Sequence, residues 1–152
     1  MRVLLSGYNG TMGQVLKNYI QDSTDLEIVA GVGRELLEEK FPTYTSYEGL
    51  EKVADVIIDF SHHAGTASLV EYAKRTTTKV VIATTGHTPE ELELIDELAT
   101  QVGVVYAGNY SLGVNVLVEL VKKASELLLG YDIEVIEKHH NKKVDAPSGT
   151  AK

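Results

Sequence analysis

Apolar and polar positions alternate along this chain in two distinct rhythms. Short runs rich in Val, Ile and Leu recur roughly every 25 residues, at 3–6, 26–32, 55–60, 79–83, 103–106 and 132–137. Such near-continuous hydrophobicity over a few residues suits strands buried on both faces of a parallel sheet. The intervening stretches carry helical spacing, and strand–helix alternation of this kind predicts an α/β, doubly wound parallel sheet.

The helix ends carry their own signals. Thr88-Pro89-Glu90-Glu91 offers an N-cap hydroxyl, a proline at the first helical position and a glutamate at the third. Ser111 opens another helix, expected to run to about residue 129, with Leu117, Leu120, Val121, Ala124 and Leu128 as its apolar face. Gly130 is expected to end it at the position after the C-cap.

Composition narrows the class. At 152 residues, 43% hydrophobic and 24% charged, the chain has room for one ordinary core and the opening of a second domain. A net charge of −8 argues against nucleic acid or a membrane surface as partner. There is no cysteine, which removes disulfides, thiolate metal sites and thiol nucleophiles. No apolar run approaches the ~18 residues of a membrane span, and the start of the chain leads straight into a strand pattern; the expected location is the cytoplasm.

The first strand runs into Gly7-Tyr8-Asn9-Gly10-Thr11-Met12-Gly13, which opens the first helix. Glycine at these points permits a tight turn, close backbone approach to a pyrophosphate and close packing of helix on strand, while the helix N-terminus offers free N–H groups. A glycine-rich turn with no ligand is the alternative. A dinucleotide fold places an acid about 20 residues on to hold the ribose hydroxyls; here Gly33 and Arg34 stand there. Arg34 is suited to a 2′-phosphate, so the cofactor is NADPH or NADH with the balance toward NADPH, unless Arg34 is a solvated loop residue. Ligands lie beyond the carboxyl ends of parallel strands, so the loops at Asp59-Phe60-Ser61-His62-His63, Ala83-Thr84-Thr85-Gly86-His87 and Ala107-Gly108-Asn109-Tyr110-Ser111 also become candidates. Asp59 reads as a cap or loop orienter. The His62-His63 pair has no ligand set around it and reads as a surface or helix-start feature, so no metal is expected. His87 precedes a capped helix with no partner evident.

The last stretch, Glu134-Val135-Ile136-Glu137-Lys138-His139-His140-Asn141-Lys142-Lys143-Val144-Asp145-Ala146-Pro147-Ser148-Gly149-Thr150-Ala151, gathers imidazoles, ammonium groups and a Ser-Gly-Thr turn. That set suits an anionic substrate that is both gripped and protonated. It resembles the signature of the 4-hydroxy-tetrahydrodipicolinate reductase (dihydrodipicolinate reductase) family of lysine biosynthesis. The Gly7–Gly13 turn, Thr84-Thr85-Gly86 and Asn109-Tyr110-Ser111-Leu112-Gly113-Val114-Asn115 match the same family in the same order. Thr11, Gly33 and His63 depart from it, standing where many members carry arginine, an acid and proline.

The resemblance implies a Rossmann-like nucleotide domain over residues 1–130 and the beginning of a truncated substrate domain over 131–152. It implies NAD(P)H-dependent reduction of a small cyclic dicarboxylate to tetrahydrodipicolinate, with a homotetramer as the full-length form. By the same resemblance, His139 is the acid/base residue and Lys143 the proton donor, with His140, Ser148, Gly149 and Thr150 on the substrate. Gly7, Tyr8, Asn9, Gly10, Thr11, Met12, Arg34, Ala83, Thr84, Thr85, Ala107, Gly108, Asn109 and Tyr110 are the cofactor contacts it implies. The chain alone is expected to turn over weakly or not at all. A non-catalytic nucleotide-binding module, or a Rossmann-like domain for another nucleotide such as that of coenzyme A, are the alternatives; neither has a use for the His139–Thr150 motif.

Overall fold

The structure, a computed structural model, describes residues 1–139, 141, 147–148 and 150–151. Those residues form two compact units, Met1–Tyr106 and Ala107–Lys152.

In the first unit, six parallel strands form one sheet: β1 (Arg2–Ser6), β2 (Glu27–Val32), β3 (Thr43–Tyr44), β4 (Val56–Asp59), β5 (Lys79–Ile82) and β6 (Val104–Tyr106). Their order is β3-β2-β1-β4-β5-β6, so the chain winds outward from β1 in one direction and then from β4 in the other. Helices α1 (Thr11–Gln21), α2 (Thr66–Thr76) and α3 (Pro89–Ala99) connect them. This is the doubly wound, Rossmann-like sheet that the alternation predicts.

Period-two alternation splits each strand between two cores. Leu4, Ile57, Val80 and Ile82 meet Leu69, Tyr72 and Ala73 of α2 and Ile95 and Leu98 of α3. Val3 and Val56 point the other way and pack with Ile20 of α1, Leu26 and Ile28. Both faces of the central strands are therefore covered, the physical reason those runs are continuously apolar. Strand β3 has no such run. Backbone bonds from Gly31 N to Pro42 O at 3.0 Å and Gly33 N to Tyr44 O at 2.9 Å hold it, and the apolar pattern gives no sign of it.

Helix α3 carries the full capping box: Thr88 Oγ1 accepts from Glu91 N at 3.3 Å, and Thr88 N donates to Glu91 Oε2 at 2.8 Å. Helix α1 is different. Its N-cap is Gly10, without a side-chain cap and with no acid in its first turn.

The second unit contains α4 (Leu112–Leu127), capped by Ser111 Oγ, which accepts from Val114 N at 3.4 Å. Two expectations need correction here. The helix stops at Leu127, and Gly130, at φ +94°, lies in the turn beyond instead of one residue past the C-cap. Its apolar face, Leu117, Leu120, Val121, Ala124 and Leu128, is exposed throughout. The third correction is residues 132–137, which form no strand; Ile133, Val135 and Ile136 are exposed. A strand persists only where a neighbour satisfies its N–H and C=O groups. No strand lies among the described residues of this unit to pair with it.

Candidate functional site

The direction of strand winding reverses between β1 and β4, and in a parallel sheet a crevice opens outside the carboxyl ends at such a point. A cavity of about 790 Å³ lies there. Ser6, Gly7, Asn9 and Gly10 line it from the end of β1, and Gly33 and Arg34 from the end of β2. Tyr47, past β3, and Ser61, His62 and Gly65, past β4, close it.

Backbone approach builds the floor. Gly7 has φ +77°, a left-handed conformation that L side chains rarely adopt, and a Cβ there would sit 2.5 Å from Phe60 O. A Cβ on Gly13 would meet Gly7 O at 2.2 Å, so the first turn of α1 lies directly on the strand-to-helix bend. The uncapped N-terminus of α1 completes a cradle of N–H groups whose dipole favours an anion. A Cβ on Gly33 would sit 2.7 Å from both Asn9 Oδ1 and Tyr8 Cε1, so a side chain there would require those neighbours to shift. Arg34 follows immediately, exposed and lining the cavity.

Residues named from the sequence divide plainly. Gly7, Asn9, Gly10 and Arg34 meet around one cavity. Tyr8 is fully buried and does not line it; its ring stands edge-on to Phe41, and its hydroxyl donates to Glu35 O at 2.7 Å and accepts from Leu37 N at 2.9 Å. Thr11 and Met12 are exposed in the first turn of α1. After β5, Thr84 is buried while Ala83 and Thr85 are more open.

Asp59, read from the sequence as a loop orienter, has that task. It is 4% exposed, and its two oxygens accept from Ser61 Oγ and Thr84 Oγ1, each at 2.6 Å. Tyr47 packs beside it, stacked on Tyr72 with ring centroids 5.1 Å apart, and its buried hydroxyl has no hydrogen-bond partner among the described residues. Burial pushes the Tyr47 phenol well above its ordinary range, and the Asp59 charge adds to that.

The histidines take structural posts. His62 Nδ1 accepts from Ala64 N at 3.2 Å, capping a short 3-10 turn, and His63 Nδ1 lies 2.9 Å from Glu91 Oε2. Hydrogen bonding to Thr88 N, with help from His63, holds the Glu91 carboxyl below its usual range. His87 does have a partner. Tyr106 stands edge-on to it, its hydroxyl 3.4 Å from Nδ1, and burial lowers the His87 pKa. No group of three or more His, Cys, Asp or Glu among the described residues is placed to hold a metal.

In the second unit, Asn109 Nδ2 donates to Thr150 Oγ1 at 2.8 Å, joining a named cofactor contact to a named substrate contact across 41 residues. Asn109 Oδ1 also accepts from Ser111 N at 2.7 Å, so one side chain braces the start of α4 and Thr150. Ala107 and Gly108 lead into Asn109, and Tyr110 is exposed. Ser148 is buried; its N–H donates to both Glu137 oxygens at 3.1 Å, and its Oγ accepts from Ala151 N at 3.2 Å. Glu137 Oε2 also lies 3.8 Å from His139 Nδ1. The sequence gives Glu137 no role, since nothing in its spacing shows that the turn folds back onto it. His140, Lys143 and Gly149 lie outside the described residues.

Comparison with known proteins gives the arrangement its place. The model of the family described as "Dihydrodipicolinate reductase, N-terminus" matches residues 1–110, and that described as "Dihydrodipicolinate reductase, C-terminus" matches 113–152. The chain belongs to the dihydrodipicolinate reductase family. A 4-hydroxy-tetrahydrodipicolinate reductase of Caldanaerobacter subterraneus subsp. tengcongensis is 44% identical over 99% of this chain and 60% of its own length. One from Clostridium tetani is 40% identical over the same shares. Among solved structures, a dipicolinate-bound dihydrodipicolinate reductase from Paenisporosarcina sp. TG-14 superposes with a TM-score of 0.77 at 26% identity, covering 99% of this chain and 62% of its own. An engineered D-amino acid dehydrogenase bound to NADP+ shares the fold at a TM-score of 0.59 and 19% identity, over 84% of this chain and 41% of its own. This member of the dihydrodipicolinate reductase family thus spans about 60% of the length of the relatives it matches.

Proposed function

We propose that this chain is the cofactor-binding part of a 4-hydroxy-tetrahydrodipicolinate reductase of the diaminopimelate and lysine pathway. The carrying observation is the cavity at the β1/β4 reversal, floored by the Gly7 turn and the uncapped start of α1, with Arg34 on its rim. A pyrophosphate suits that cradle because the helix start is uncapped and carries no acid in its first turn. Arg34 beside Gly33 suits a 2′-phosphate, so NADPH is preferred to NADH.

The cofactor supplies hydride; the substrate takes up that hydride and a proton, and water leaves. Negative charge that develops on the ring needs a nearby acid. Lys143 fills that role in this reading, with His139 as acid/base residue. His140 and the Ser148–Gly149–Thr150 turn bind the substrate carboxylates. Glu137, which gathers the Ser148 N–H and lies beside His139, holds turn and imidazole in place. The nucleotide domain is assigned to 1–130 and the start of the substrate domain to 131–152. The whole family protein is assigned to the cytoplasm and to a homotetramer. Among the described residues, no helix is long and apolar enough to cross a membrane.

Turnover tests the assignment. Followed as substrate-dependent loss of NADPH absorbance in a protein of full family length, Lys143→Ala should lower kcat by roughly 100-fold or more with NADPH affinity unchanged. Full activity in that variant removes Lys143 as donor, and no NADPH binding by wild type refutes the reading as a whole.

A further inference from the structure

Asp59 is a buried carboxylate that takes part in no ion pair among the described residues. Two hydroxyls stand in for a cation: Ser61 Oγ on Oδ1 and Thr84 Oγ1 on Oδ2, both at 2.6 Å. A carboxylate only accepts, so each hydroxyl spends its single proton on Asp59.

That fixes what Ser61 shows to the outside. Ser61 is exposed, lines the cavity, and places Oγ 3.9 Å from the Cβ position of Gly65, another lining residue. With its proton turned inward, its lone pairs are what remain for a ligand. The other side of the same cavity, made by the α1 start and Arg34, carries donors. The cavity is therefore divided into a donor side, which suits phosphates, and an acceptor point, which suits a hydroxyl or an amine.

We propose that Asp59 is a positioning residue that locks Ser61 as a hydrogen-bond acceptor for a donor on the adenosine half of the cofactor, either the free ribose hydroxyl or the adenine amine. This rests on the cavity being the nucleotide site. Through Thr84 the same carboxylate ties that acceptor point to the loop after β5, so two loops are set by one buried group.

Calorimetric titration of the chain with NADPH and two analogues separates the sources. Deamino-NADPH replaces the amine by a carbonyl oxygen, and a 3′-deoxy analogue removes the hydroxyl. Wild type is expected to bind one of the two roughly 3- to 10-fold more weakly than NADPH, the worth of one neutral hydrogen bond. Ser61→Ala should weaken NADPH to the level of that analogue and abolish the difference, with folding checked by circular dichroism because Asp59 loses a partner. Ser61→Thr should restore it, and Asp59→Asn should blunt it. A purely structural role for Asp59 would lower thermal stability without touching discrimination. Equal affinity of wild type for all three ligands, or discrimination that survives Ser61→Ala, overturns the inference alone. No binding of NADPH to wild type overturns the site reading as well.

Discussion

At the scale of residues, the side chains around the cavity are set by what lies behind them. Arg34 can project over the cavity because Gly33, whose Cβ would strike Asn9 and Tyr8, leaves the rim open. Removing its guanidinium should cost the charge-assisted bonds to a 2′-phosphate, about 1.5–3 kcal/mol or roughly 10- to 100-fold in NADPH affinity, while NADH binding stays the same. Titration of both cofactors against Arg34→Ala reads this directly, and an unchanged preference removes Arg34 from the site. His87 makes a second case. Burial lowers its pKa below 6.5, so the unfolded chain binds a proton more readily than the folded one. Stability should therefore rise with pH across the interval from the lowered folded value up to 6.5. Urea unfolding at a series of pH values should show that slope, and His87→Gln should flatten it. Gly7 was legible in the sequence because its turn is local, and Asp59 in part, because Ser61 stands two residues on while Thr84 reaches it from 25 residues away. Tyr8 and Glu137 were not. The Tyr8 ring turns into the core and Glu137 receives a turn eleven residues away, and neither fact has a signature in spacing.

At the scale of elements, five of the six strands follow from apolar runs, since a strand covered on both faces must be apolar throughout, and of the helices between them α3 also follows from its cap. The edge strand β3 escaped because two residues held by backbone bonds carry no apolar run. Residues 132–137 have the composition of a strand yet form none, because propensity alone does not satisfy a strand's backbone without a partner. The stripe on α4 shows the same thing for helices: amphipathic spacing announces a face to be covered and does not say by what. Where caps are concerned, local chemistry suffices. Thr88→Ala removes a capping box whose both halves are formed, and should cost about 1 kcal/mol, or about 2–4 °C in Tm for a chain of this size. Thermal unfolding followed by circular dichroism checks it. A change within error would mean that the Glu91–His63 contact holds the helix start without the hydroxyl.

At the scale of the whole molecule, each of the two units carries one half of the proposed chemistry. Met1–Tyr106 holds the cavity proposed for the nucleotide, and Ala107–Lys152 holds the motif proposed to bind and protonate a dicarboxylate. The family was readable from the sequence because both halves carry short motifs in a fixed order. In the proposed function a reduced pyridine nucleotide occupies the crevice at the β1/β4 reversal. Amide chemical-shift mapping by NMR on addition of NADPH tests it most directly. The largest changes are expected at Gly7, Asn9, Gly10 and Met12 and at Gly33, Arg34 and Ser61. Changes centred instead on the smaller cavity between α1 and residues 39–41, lined by Gln14, Lys17 and Phe41, would contradict it.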